Sequence, residues 1–147
     1  MIYNLYGGFI ISDIEIIKEA IKYIIKNKQN IVDIAYSSNG GWKKWLQVEI
    51  YAYLIGERFD INREVPYPLG LLYGDLVLNN NTLCELKTDY NNYENVLPEF
   101  NADINKISKW YNNNAYAILI SKRTFLGNGF EIDNIETTDY NILLVKA

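Results

Sequence analysis

Asp75, Glu85 and Lys87 lie in the stretch GDLVLNNNTLCELKT, residues 74–88. Two carboxylates and an amine at this spacing could bind a hard divalent cation through oxygen and keep a positive charge beside it. The two apolar runs that carry them are separated by Asn79, Asn80 and Asn81. Asparagine tolerates the left-handed backbone that such a loop needs, and a three-residue loop sets Leu78 opposite Thr82. Counting back along both runs, Asp75 falls opposite Glu85. Residues directly opposite share a face with Cβ atoms roughly 5 Å apart, and like charges so placed destabilise a sheet. Alternation puts Asp75, Val77, Leu83, Glu85 and Lys87 on one face, and Leu72, Leu76, Leu78, Cys84 and Leu86 on the other. Lys87 supplies one compensating charge; a divalent cation would supply two more. The plainer alternative is a solvated hairpin in which Lys87 pairs with either acid at the surface, worth about 0–1 kcal/mol. A register shift of one residue would also undo the opposition.

The rest of the composition narrows the chemistry. The chain has no histidine and a single cysteine, Cys84. That removes Ser-His-Asp and Cys-His catalysis, zinc sites built on histidine or several thiolates, and any internal disulfide. A metal, if bound, is a hard one held by oxygens. No Walker-type glycine loop occurs. With 147 residues, 49% apolar and 14% aromatic, the chain is expected to form one globular domain around a sizeable core. A net charge of −4 argues against a bulk nucleic-acid coat, though not against a local basic groove. No apolar run is long enough to span a bilayer, and the opening MIYNLYGGFIIS lacks a basic region before its apolar part. The expectation is a cytoplasmic protein with no membrane partner.

Elements that could position the three residues are legible on both sides of them. SDIEIIKEAIKYIIKNK reads as an amphipathic helix, with Ser12 and Glu15 as a capping box and Ile14, Ile17, Ile21, Ile24 and Ile25 at helical spacing. A polar stretch from Ser37 to Gly41 follows. WKKWLQVEIYAYLIGERF reads as a second helix ending near Gly56, and INREVPY as a strand closed by Pro66 and Pro68. LLYGDLVL and TLCELKT are the two motif strands. LPEFNADINKISKWY is a helix with Pro98 near its first turn, and AYAILIS is a buried strand. The polar stretch from Gly127 to Tyr140 carries no clear pattern, and NILLVKA closes the chain as a strand.

Asp-x9-Glu-x-Lys on adjacent strands, preceded by a helix carrying Glu49 and followed by a helix and a strand, resembles the PD-(D/E)xK nuclease superfamily. The resemblance covers Trp42 to about Ser121, with Gly74 where the family's name has proline. It implies an α/β fold with a restriction-endonuclease-like core, in α-β-β-β-α-β order: a mixed central sheet of four to five strands with helices on both faces. Residues 1–147 would then be a single nuclease-like domain, comprising an N-terminal helical extension (about 1–36), the core (about 42–121) and a tail with a last strand (122–147).

The same resemblance implies a metal-dependent nuclease hydrolysing phosphodiester bonds, most naturally a DNA endonuclease of phage, mobile-element or DNA-processing type. The cofactor would be Mg2+, with Mn2+ as substitute. Asp75 and Glu85 would be ligands, joined by the backbone carbonyl of Leu86, and Lys87 would sit beside the scissile phosphate. Glu49 would add a ligand or an outer contact, with a solvated glutamate as the alternative. Glu64 competes for that role, and Gln47 matches a polar position of some relatives. Lys43, Lys44, Lys106 and Trp42 would contact nucleic acid, Trp42 being expected at the surface because Gly40 and Gly41 precede it. Trp45 and Trp110, at helical spacing, are expected in the core. Lysines 43, 44, 106, 109 and 122 with Arg123 could also be ordinary surface charges, and Asp103 with Lys106 an ordinary i, i+3 helix pair. A homodimer is compatible with the resemblance, since small resolvases of this type work as dimers. The rival from another class is a catalytically inactive binding or regulatory protein of the same fold.

Overall fold

The computed structural model describes residues 2–5, 9–38 and 40–147, with side chains from residue 11 onward except residue 39. The chain opens with an antiparallel hairpin, β1 (Ile2–Leu5) and β2 (Phe9–Ser12), where no strand is expected from the pattern. Helix α1 (Asp13–Asn27) starts where the capping box places it: Ser12 Oγ accepts from the Glu15 N–H at 3.4 Å. Its isoleucines 14, 17, 21, 24 and 25 are buried. A second helix, α2 (Gln29–Ser37), follows after a single residue and is not signalled by its pattern. Helix α3 runs Lys43–Gly56.

The central sheet has six strands rather than four or five. They are β3 (Ile61–Pro66), β4 (Tyr73–Leu78), β5 (Thr82–Thr88), β6 (Ala115–Ser121), β7 (Glu131–Asn134) and β8 (Asn141–Lys146), in the order β3-β4-β5-β6-β8-β7. The β5–β6 pair is parallel and the others antiparallel, so the sheet is mixed and the fold α/β. Parallel neighbours need a crossover, and helix α4 (Val96–Ile107) supplies it. The added strand β7 is short and polar. It is held from outside its own segment, by pairing with β8 and by Lys18 and Lys22 of α1, 3.1 and 2.9 Å from Asp133.

The sheet is covered on both sides. On one face Leu76, Leu78, Cys84, Leu86, Ile118, Ile120 and Ile142 pack with α1, α2 and α3. On the other, Val77, Leu83, Ala117, Leu119 and Leu143 pack with Val96, Phe100 and Ile107 of α4. Burial on both faces explains why β6 and β8 read as nearly continuous apolar runs instead of alternating ones. The alternation expected for β4 and β5 holds, except for Leu72: it lies before β4 begins, and packs on the Val77 side.

The β4–β5 turn is built as the asparagines predict. Asn79 and Asn80 take φ of +57° and +53°, the Asn81 N–H reaches the Leu78 carbonyl at 3.1 Å, and Leu78 pairs with Thr82.

Candidate active site

Asp75 has no ladder partner on either side: the β3 ladder skips it, and the β5 ladder ends before it. Toward β3 the pairs are Arg63↔Leu76 and Val65↔Gly74, and the residue between them, Glu64, has φ of +51°. Toward β5 the pairs run from Leu78↔Thr82 to Leu76↔Cys84, one residue short of Asp75 and Glu85. The polar atoms of Asp75 are taken up elsewhere. Its carbonyl accepts from Gln47 Nε2 at 3.0 Å, and its Oδ2 accepts the Leu86 N–H at 2.7 Å. Its Oδ1 faces Lys43 Nζ at 2.9 Å and Gln47 Nε2 at 3.3 Å. The carboxylate therefore bridges to β5 and is held from above by the first two turns of α3.

Gly74 makes this approach possible. A Cβ there would stand 2.2 Å from Cδ1 of the fully buried Leu83. Gly74 thus has a local reason in this chain.

Glu85, the next acid, is 1% exposed, and Asp75 is 3% exposed. Glu85 Oε1 accepts from Tyr67 Oη at 2.8 Å and faces Lys106 Nζ at 3.1 Å. Burial and the charge of Asp75 push the Glu85 carboxyl up to about 7, with Lys106 and Tyr67 opposing. Burial and the adjacent Glu85 charge also push the Tyr67 phenol far above its ordinary range. Lys43 is shifted the other way for an amine in a partly buried place. Burial disfavours its charge, but Asp75, then Glu85 and Asp103, outweigh burial and raise its pKa.

Lys87 does not face Glu85. Its Nζ stands 3.6 Å from Glu99 Oε2 and 3.7 Å from Asp103 Oδ2, both on α4. Asp103 Oδ2 is buried and accepts no hydrogen bond, and burial raises the Asp103 pKa despite Lys87, Lys43 and Lys106. The i, i+3 pair expected of Asp103 and Lys106 is not made. Each reaches across to the sheet, Asp103 toward Lys87 and Lys106 toward Glu85. Glu99, Asp103 and Lys106 fall one turn apart on α4, a stripe that could have been read as a face turned toward one site. The cluster thus matches Asp75, Glu85 and Asp103 with Lys43, Lys106 and Lys87, contributed by α3, β4, β5 and α4.

Several expected participants lie elsewhere. Glu49 is not beside Asp75. It pairs with Lys28 at 2.8 Å, on the side of α3 that meets α1, where Tyr53 stacks on Tyr23 at 4.7 Å. The helix is turned so that Gln47, fully buried, points at the site in its place; its Oε1 is anchored by Arg63 Nε and Nη2 at 3.2 and 2.9 Å. Lys43, four residues earlier, lies on the same helix face. Trp42 is not at the surface. It is 4% exposed, with Nε1 donating to the Asp89 carbonyl at 2.8 Å. Trp110 is buried and Trp45 partly so, as expected. Lys44 pairs with Glu64 on the rim, and Glu64 also accepts from Gln47 at 3.3 Å, which places it at the edge of the cluster. Leu86 is fully buried, with its N–H on Asp75. Tyr67 had no signal beyond being an aromatic next to a proline.

The donor set suits a hard cation: carboxylate oxygens of Asp75 and Glu85, with the Leu86 peptide directly after Glu85 in the chain. Among the described residues, no three His, Cys, Asp or Glu side chains are grouped closely enough to hold a metal by themselves, so such an ion would take its remaining ligands from water or substrate. Compared with protein-family models, curated proteins and solved structures, the chain matches none of them.

Proposed function

We propose that the protein is a divalent-metal-dependent nuclease that hydrolyses phosphodiester bonds, acting on DNA as an endonuclease. The observation that carries this reading is the pair of buried carboxylates, Asp75 and Glu85, at the point where β4 and β5 cease to pair, with Lys87 two residues further on. Burying two acids beside each other stabilises nothing in itself, and a buried acid whose pKa is raised, as that of Glu85 is, marks a functional site. Asp75, Glu85 and the Leu86 carbonyl would hold Mg2+ or Mn2+, which when bound supplies charge neutralisation at phosphorus and a water of lowered pKa. The Leu86 N–H and Gln47 fix the orientation of Asp75. Lys87, held by Glu99 and Asp103, follows Glu85 by two residues on β5 and would offset charge developing on the phosphate. Lys43 and Lys106 neutralise the acids in the free protein and are placed to turn toward substrate phosphate.

One observation favours a second reading, a binding protein of the same fold without turnover: Asp75 and Glu85 already have ammonium partners at 2.9 and 3.1 Å. A cleavage assay on duplex, single-stranded and branched DNA and on RNA, with Mg2+, Mn2+ or EDTA, separates the two. It is paired with calorimetric titration of Mg2+ into the wild type and Asp75→Ala. Metal-dependent cleavage, and a binding heat lost in Asp75→Ala, are expected. Nucleic-acid binding with no metal heat and no cleavage would leave the second reading. A cytoplasmic setting and a homodimer belong to the same proposal; among the described residues no helix is long and apolar enough to cross a membrane.

A further inference from the structure

The connection between β3 and β4, residues 67–72, presents Leu69 and Leu71 to solvent at 94% and 86% exposure. It is tightly made. The Tyr67 N–H donates to the Leu72 carbonyl at 2.8 Å, and the Gly70 N–H to the Tyr67 carbonyl at 3.0 Å. At the tip, Leu69 and Gly70 both take left-handed backbone, φ +76° and +71°. Glycine does so freely; leucine does not, because its Cβ crowds the backbone there. A strained, fully exposed leucine serves neither solubility nor folding, and strain of this kind collects where a segment makes contact. The two ends of the tip are fastened to the acids. Tyr67 Oη donates to Glu85, and Lys106, which faces Glu85, donates to the Tyr73 carbonyl at 2.6 Å. Lys109 lines the same cleft as Pro68, Leu69 and Leu71, and no carboxylate of the described residues pairs with it.

We propose that this tip is a wedge for duplex nucleic acid: Leu69 and Leu71 insert between neighbouring base pairs while Lys109 meets the adjoining phosphate. Apolar side chains on a short projection unstack a base step in this way. A cation beside them, and rigid attachment to acids proposed to act on phosphate, fit a duplex better than a protein surface. The inference rests on the nuclease reading for its choice of ligand, but not for its test.

The test uses a duplex carrying 2-aminopurine, whose fluorescence rises on unstacking, with the full chain in EDTA so that hydrolysis is not required. Leu69→Ala/Leu71→Ala changes only exposed residues, and its melting curve checks the fold; Leu69→Gly removes one wedge while relieving the strained backbone. The wild type is expected to raise the fluorescence. The double variant should not raise it and should bind the duplex roughly tenfold or more weakly. Leu69→Gly should melt no lower than the wild type yet give a reduced rise. An equal rise with the double variant, or wild-type binding without a rise, overturns the wedge. So does a change in sedimentation of the double variant with duplex binding intact, since the leucines would then cover a second copy of the chain. Wild-type unstacking without metal-dependent cleavage would sink the nuclease reading and leave the wedge standing. Equal cleavage of duplex by wild type and double variant would do the reverse.

Discussion

Burial and the neighbouring Asp75 charge set the protonation of Glu85. Its folded pKa, about 7, lies above the ordinary 4.5, so between these values the folded state holds a proton that the unfolded chain has released. Its contribution to stability is therefore full below the ordinary value, and is lost as pH rises toward the folded one. In EDTA the wild type should lose about 2–3 kcal/mol more than Glu85→Gln between about pH 5 and pH 8, measured by urea denaturation. Equal slopes for the two proteins would mean that Glu85 is ionised throughout. Because the same proton competes with a cation, Mg2+ affinity should rise over that interval. Lys106 makes the opposite case. Lys106→Ala leaves Glu85 buried without its cation, and should lower metal-free stability by about 1–3 kcal/mol. The same change should tighten Mg2+ binding in calorimetry, since a competing positive charge is gone. Weaker Mg2+ binding would show that Lys106 positions the acid and does not compete for it. Lys87→Ala should keep the metal heat and lose roughly 100-fold or more of cleavage, because Lys87 touches α4 acids and neither proposed ligand. Undiminished cleavage, from a preparation cleared of contaminating nuclease, would remove it from the mechanism.

Among elements, β4 is placed by one missing atom and β5 by one buried charge. Gly74→Ala would push a Cβ to 2.2 Å from Leu83 Cδ1, in a layer with no exposed exit, and is expected to cost about 1–3 kcal/mol in chemical denaturation. A neutral result would show that Leu83 can adopt another rotamer. At the far end of β5, Asp89 is fully buried. It accepts from Arg123 Nε and Nη2 at 2.8 and 2.6 Å, Ser121 Oγ at 2.6 Å and Tyr36 Oη at 3.1 Å. Trp42 Nε1 bonds its carbonyl. This network joins α2, the start of α3 and the ends of β5 and β6, and so sets where α3 enters the site. Arg123 is itself partly exposed, which softens the loss, and Arg123→Ala should cost about 2–3 kcal/mol, read from denaturation midpoints.

The whole molecule carries a net charge of −4, and Lys43, Lys44, Lys87 and Lys106 are all engaged with carboxylates. Few cations are left to replace counterions around a duplex. The salt dependence of binding should be shallow, with a log–log slope of magnitude about 3 or less in EDTA. A steep slope, near 6 or beyond on the same scale, would mean that the lysines exchange carboxylates for phosphates on contact, and that affinity is mostly electrostatic.

What the sequence by itself determined is what local physics controls. The triple asparagine supplies two left-handed residues and so sets the register of β4 and β5. Strict two-residue alternation then assigns Asp75, Glu85 and Lys87 to a face, and Ser12 with Glu15 marks the start of α1. Tertiary packing decided the remainder. Gln47 and Glu49 are two residues apart on α3; which of them meets Asp75 depends on the rotation of the helix, and the contact of Tyr53 with Tyr23 of α1 belongs to that rotation. Trp42 follows two glycines, yet is buried because an acceptor 47 residues away, the Asp89 carbonyl, comes to meet it. Strand β7 is polar and has no internal pattern; β8 and two lysines of α1 hold it in place. Lys106 and Asp103 look like a helix pair, but α4 turns that stripe toward the sheet, where buried Glu85 attracts the one and Lys87 the other. Spacing along a chain fixes which residues share a face. It carries no information on which face of another element arrives opposite, and at this site that arrival brought Lys43 and Gln47 to Asp75, and Tyr67 and Lys106 to Glu85.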